Sequence, residues 1–206
     1  MHPNPVFRKT EKAQNLAFAR DRSFGTLSIN GDGGPLIAHI PFQLSEDGSY
    51  LEAHLVRSNP IARALKEPHK AVIAVSGGDG YISPDWYGVD DQVPTWNYVA
   101  VHLRGSLRLL PDDALRGILE RLSGNMEARL LPKPIWKIDK VSDDALVKMM
   151  RQIVPIAMNI SDIDGTWKLA QNKPEEARLG AADALAETGF GMQQSLIAEL
   201  MKSPPG

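Results

Sequence analysis

Arg57 stands where a strand-like run ends and a helix-like run begins, and this junction is the first place where the sequence offers chemistry. In Ala53-His54-Leu55-Val56-Arg57-Ser58-Asn59-Pro60-Ile61-Ala62-Arg63, Ser58 or Asn59 is placed to cap the helix and Pro60 suits its first turn. Unpaired backbone N–H groups at such a start, with Arg57 beside them and Arg63 one turn in, make a site for an anion. A dianionic phosphate monoester suits it, because a guanidinium grips phosphate through two parallel hydrogen bonds. A plain capped helix with exposed arginines has the same spacing and stays open as the alternative.

A second concentration of chemistry runs from Tyr81-Ile82-Ser83-Pro84-Asp85-Trp86-Tyr87 to Val93-Pro94-Thr95-Trp96-Asn97-Tyr98. Five aromatics and two prolines fall within these 18 residues, in a chain that is 6% aromatic. Such a cluster walls a flat heteroaromatic ligand, with Asn97 and backbone amides bonding its ring edge, or it pins a loop or a subunit interface. A third polar group, Lys168, Gln171 and Lys173, follows Trp167; it would reach a phosphate or a ring edge, or lie solvated. The five histidines show no helical zinc spacing, and His39 and His54 fall on neighbouring strands where they would share a face. Nothing resembles a Ser–His–Asp signature or a nucleophile elbow.

The elements that must position these groups are read from periodicity. Thr10 to Arg20 predicts an opening helix with Thr10 as its cap. Phe24 to Ile29, Leu36 to Leu44, Tyr50 to Val56 and Ala71 to Ser76 read as strands separated by turn-forming residues. In the second of these, Leu36, Ala38, Ile40, Phe42 and Leu44 face one way, and Ile37, His39, Pro41 and Gln43 the other. Gly77 to Pro94 reads as mostly loop, and Trp96 to Leu110 as two strands or one bent at Gly105. Helices follow from Asp112 and from Ser142, each with its first residue as cap. A strand runs from Ile156 toward Leu169, and further helices start at Pro174 and near Met192. Several strands ahead of the main helices argue for an antiparallel barrel or meander with helices outside it, against a βαβ sheet. Gly77-Gly78-Asp79-Gly80 lacks the spacing of a dinucleotide or Walker loop.

The bulk properties narrow the classes. A chain of 206 residues with no cysteine excludes thiol catalysis, thiolate metal sites and a disulfide framework. Its 43% hydrophobic and 23% charged content is that of a globular protein, and no linker or repeat divides it, so one domain over 1–206 is expected. No signal-peptide pattern or membrane-length apolar run occurs, and a cytoplasmic location is the expectation. A net charge of −2 without a basic run gives no strong sign of direct nucleic-acid binding.

At these sites the sequence resembles the PaiB-type family of FMN-binding negative transcriptional regulators. His39-Ile40-Pro41-Phe42 is similar to the family's H-[LI]-P-F, and His54-Leu55-Val56-Arg57-Ser58-Asn59-Pro60 to its H-L-x-R-x-N-P. Tyr81 to Tyr87 and Val93 to Tyr98 follow Y-I-S-P-x-W-Y and V-P-T-W-N-Y, and Trp167 to Asn172 resembles a late K-x-x-Q-N element. The five motifs occur in order over about residues 1 to 190. The resemblance implies a mainly β fold with peripheral helices: a six-stranded antiparallel split β-barrel binding FMN at a homodimer interface. It places His54, Arg57, Ser58 and Asn59 around the phosphate, and His39, Ile40, Pro41, Thr95, Trp96 and Asn97 beside the isoalloxazine. Lys168 and Gln171 would approach from the late strand. Two functions follow as expectations: an FMN-dependent oxidoreductase or flavin reductase using NAD(P)H, or a regulator acting indirectly on DNA. One departure is Val75-Ser76-Gly77-Gly78-Asp79, where members often carry an aromatic-Q-G-P run; a Gly-rich loop there would open or reshape the flavin pocket.

Overall fold

The computed structural model describes residues 1–205 and contains six strands. They are β1 (Phe24–Gly31), β2 (Gly34–Leu44), β3 (Tyr50–Val56), β4 (His69–Ile82), β5 (Thr95–Leu109) and β6 (Ile153–Lys168). The helices are α1 (Lys12–Arg22), α2 (Pro60–Ala64), α3 (Ala114–Ala128), α4 (Asp143–Met150), α5 (Glu175–Thr188) and α6 (Gln194–Lys202). The strands hydrogen-bond in the order β1-β2-β3-β6-β5-β4, and β4 pairs back onto β1, so the antiparallel sheet closes in a ring. None of the helices described is long and apolar enough to cross a membrane.

Contacts between residues gather the chain into two compact units, each assembled from separate stretches. The first holds Met1–Phe18, Val75–His102 and the residues from Ile163 onward; the second holds Ala19–Ala74 and Leu103–Asp162.

In the second unit, alternation builds the core as its sequence predicts. On β2, Ala38, Ile40, Phe42 and Leu44 are buried, while His39 and Ile37 face outward and are exposed. On β3, Leu51, Ala53 and Leu55 enter the same core, leaving Glu52 and His54 on the outer side. β2 and β3 pair Phe42 with Ala53 and Leu44 with Leu51, so two apolar rows meet. α3 packs across these strands, and the Arg121 guanidinium holds Glu52 of β3 at 2.6 Å. Gly105 does not split β5 into two strands. A Cβ there would stand 2.0 Å from the Asn159 carbonyl oxygen of β6, so close backbone approach is what requires the glycine.

In the first unit, α5 and α6 close over a core of Ile82, Tyr87, Val99, Trp167, Leu169, Ala181, Leu185, Ile197 and Met201. The expected loop at Gly77–Ile82 is strand instead, the far half of β4. The glycines serve packing here rather than turning. A Cβ on Gly80 would meet Leu185 of α5 at 2.9 Å, and one on Gly78 would meet Ile197 of α6 at 3.1 Å. Residues 190–192 run beside this half of β4, with Asp79 N–H donating to the Met192 carbonyl and Tyr81 N–H to that of Phe190. Buried positions shift from Ala71, Ile73 and Val75 to Gly78, Gly80 and Ile82, a one-residue slip at Ser76–Gly77 that marks a bulge.

Three expected caps differ in detail. α1 begins at Lys12 instead of at Thr10, whose carbonyl accepts from the Asn15 side chain. Asp113, not Asp112, precedes α3, and Asp112 pairs with Arg57. Ser142 does stand at the start of α4, but its hydroxyl makes no cap bond.

Candidate functional site

The strand–helix junction of the second unit has the predicted local form. Asn59 is the cap of α2: its Oδ1 accepts the Ile61 N–H at 2.9 Å, and Pro60 fills the first helical position. That commits the Asn59 carbonyl oxygen to the chain, while Ser58 is exposed. Arg57 is held in place rather than free. Its Nε donates to the Arg151 carbonyl at 3.0 Å, and its Nη2 to the Ile153 carbonyl at 3.1 Å and to Asp112 at 3.3 Å. Its side chain is 48% exposed and Asp112 is 71% exposed, so a stronger anion can displace that carboxylate. Among the described residues Nη1 has no partner, which leaves an oriented guanidinium edge available.

His54 lies two residues before Val56 on the outer side of β3. Burial pulls its pKa below the ordinary histidine value, so the ring is neutral at pH 7. Its Nδ1 is buried without a hydrogen-bond partner, an orphaned group that a ligand's polar atom would satisfy. His39 shares this outward direction but is exposed, and Pro41 is half-buried beside it. Ile40 departs from its expected role: alternation sends its side chain into the core, 3% exposed, so only its backbone is left for a ligand.

The first unit gathers the other expected residues differently. Lys168 donates to the Thr95 hydroxyl and, at 2.8 Å, to the Trp96 carbonyl, so the late strand and the start of β5 do meet. Desolvation lowers the Lys168 pKa, and the positive charge of Lys173 adds to the effect. Lys173 itself donates to Gln92 and lies 5.2 Å from the centre of the Tyr87 ring. Asn97 and Gln171 both make contacts within the chain. Asn97 is 1% exposed; its amide nitrogen meets the Met201 sulfur at 3.3 Å, because inward positions on β5 face α6, while its Oδ1 is buried without a hydrogen-bond partner. Gln171 closes its own turn, accepting from Leu169 N–H and donating to the Trp167 carbonyl at 2.5 Å.

Trp96 instead joins an aromatic group that the motifs only partly foretold. Phe190 stacks on Tyr81 at 5.2 Å between ring centres, and Trp96 meets both rings edge-on. Phe190 carries no periodic signal in a Gly-rich segment, so sequence reasoning had no means to find it. Beside this group is a recess of about 310 Å³, with Trp96 and Tyr98 as walls and Gly77, Gly78 and Ala100 among its lining. Small residues there leave room for a flat ring against the sheet.

Comparisons with known proteins bear on the family and the fold. A family model described as "Putative FMN-binding domain" matches residues 1–162. The chain is 30% identical over 204 residues to the protease synthase and sporulation protein PAI 2 of Bacillus subtilis, covering 98% of this chain and 97% of that protein. An FAD- and heme-binding protein of Mycobacterium smegmatis shares the fold, with a TM-score of 0.58 at 19% identity, over 90% of this chain and 82% of the other. A flavocytochrome of Azotobacter vinelandii superposes with a TM-score of 0.57 at 15% identity, over 93% and 81%. A ring of six antiparallel strands and a family match over most of the chain lead to one assignment: this chain belongs to the PaiB-type family of FMN-binding split barrels, with FMN as its cofactor.

Proposed function

We propose that the protein is a homodimeric flavoprotein that uses FMN to transfer hydride from a nicotinamide donor to an acceptor. The observation that carries this reading is the Arg57 guanidinium, fixed by two backbone carbonyls and opposed only by an exposed carboxylate. Arg57 would hold the FMN phosphate, with the exposed Ser58 hydroxyl as a further donor. The orphaned Nδ1 of neutral His54 would bond a polar atom of the cofactor. When bound, FMN supplies a hydride-accepting ring nitrogen, while the protein supplies orientation and electrostatics. No side chain need act as general base, which agrees with a site built from binding groups. The recess beside Trp96 and Tyr98 suits a planar ring such as a nicotinamide, and the cationic Lys168 and Lys173 favour an anionic substrate. A second reading, a PaiB-like regulator for which FMN or a metabolite is the signal, is favoured by the near full-length similarity to PAI 2.

Purified protein is expected to be yellow, or to quench the fluorescence of added FMN on binding. Anaerobic NADH or NADPH should then bleach the visible flavin band. Saturating FMN without any spectral change would end the flavin reading. Bound FMN that resists both nicotinamides would leave the regulator as the better account.

The homodimer is a further expectation. On the outer side of β2 and β3, Ile37 and Val56 are 59% and 56% exposed, large apolar side chains that a second copy would remove from water. Light scattering at micromolar concentration should give twice the monomer mass, and a monomeric mass would refute the dimer.

A further inference from the structure

The recess beside Trp96 and Tyr98 carries a charge that a purely apolar ring site would not need. It lies wholly within the first unit, on the neighbouring strands β4 and β5, and is open to solvent. Asp79 is its one charged lining residue, and no lysine, arginine or histidine lines it. Tyr81 and Trp96 meet across the two strands at 6.0 Å between ring centres. Side chains alternate in direction along a strand, so Asp79 and Tyr98, each two residues away on its own strand, turn to that same face. The Asp79 carboxylate is held in place. Its Oδ1 accepts the Met192 N–H at 2.8 Å, and its own N–H donates to the Met192 carbonyl at 2.8 Å, a two-point clasp. Gly191 permits the approach: a Cβ there would stand 2.3 Å from the Asp79 carbonyl oxygen, and its φ of +148° is rare for other residues. Among the described residues Asp79 has no cationic partner and its Oδ2 no hydrogen bond. One negative charge is therefore oriented and uncompensated.

We propose that this recess binds a flat cationic ring of the pyridinium class, with Asp79 as counter-charge and Trp96 and Tyr98 as walls. Three features choose that occupant. The faces of tryptophan and tyrosine rings are electron-rich and attract a cation. A carboxylate at the same opening repels an anion and gives a neutral ring no charge to pair with. A space of about 150 Å³ already holds a six-membered ring, and the recess, at about 310 Å³, has room for one with a small substituent. The inference deepens the nicotinamide reading of this recess and rests on it for the identity of the ring. When a dihydronicotinamide gives up hydride, its C4–H bond breaks and the proton and both electrons pass to the bound flavin. A neutral ring is left as a singly charged pyridinium. Asp79 therefore favours the oxidised ring over the reduced one. Positive charge for the donor's phosphates stands nearby on Lys168, which donates to the Trp96 carbonyl at 2.8 Å.

The test titrates the full chain, with and without saturating FMN, with two probes: ring-N-methylated nicotinamide, a permanent pyridinium cation, and neutral nicotinamide. Broadening of the probes' proton NMR lines reads binding. Wild type should bind the cation more tightly than its neutral relative, and added salt should weaken the cation alone. Asp79→Asn keeps an oxygen for the Met192 N–H and removes the charge. It should weaken the cation by about three- to fivefold, the upper range for an exposed pair, and leave nicotinamide unchanged. Trp96→Leu should weaken the cation by about two- to thirtyfold. Equal affinities for the two probes, or a cation indifferent to Asp79→Asn, would overturn the proposal. So would displacement of the cation by FMN, which would give the recess to the flavin. Selective cation binding in a protein whose flavin neither nicotinamide bleaches would uphold the site and refute the hydride donor, so the two readings fail separately.

Discussion

Gly105→Ala will cost the protein about 4 kcal/mol or more, the range reached only when backbone or core geometry breaks. The added methyl would sit 2.0 Å from the Asn159 carbonyl oxygen. Carbon and oxygen do not approach that closely, so β6 would have to withdraw by roughly 1 Å. Main-chain oxygen within a sheet has no rotamer by which to step aside, and separating the strands sacrifices their hydrogen bonds as well. At about 2–4 °C per kcal/mol for a chain of this size, the melting temperature should fall by roughly 8–16 °C, or no folded protein be recovered. Gly124→Ala is the matched control. Gly124 lies inside α3, and a Cβ there meets nothing within 4 Å. Reduced entropy of the unfolded chain should make that variant more stable by about 0.4–1 kcal/mol. If Gly105→Ala melts with the wild type in a calorimeter, the close approach of these strands is wrong.

The second large effect is on affinity. Arg57→Ala should weaken FMN by roughly 10- to 150-fold, the equivalent of losing charge-assisted hydrogen bonds worth about 1.5–3 kcal/mol. Riboflavin, which has no phosphate, should bind the variant nearly as it binds wild type. Arg57 also ties the carbonyls of Arg151 and Ile153, so some stability, about 1–3 kcal/mol, should be lost in the same variant. The paired ligands separate these contributions, because a general loosening of the site lowers both affinities. Arg57→Lys should recover only part of the FMN loss, since an ammonium cannot reproduce the guanidinium fork. Equal weakening of FMN and riboflavin in calorimetric titrations would remove Arg57 from the phosphate site.

Local pattern alone determined much of this protein. Strict alternation on β2 told which side chains enter the core, because successive residues on a strand point to opposite faces whatever lies around them. The Asn59-Pro60 pair announced α2, since its cap bond spans only two residues and needs no distant partner. The order of strands before helices gave the architecture, and five motifs in sequence gave the family. Tertiary structure decided what depends on partners far along the chain. Gly77 to Gly80 looks like a turn in isolation, yet it is strand because Leu185 and Ile197 press where side chains would stand. Arg57 looks free by spacing, but residues more than 90 positions away supply the carbonyls that fix its direction. Asn97 and Gln171 carry the right chemistry for a flavin edge, but distant packing decides what is left of it: the Asn97 nitrogen meets Met201 while its Oδ1 is left without a partner, and Gln171 closes the Trp167–Leu169 turn.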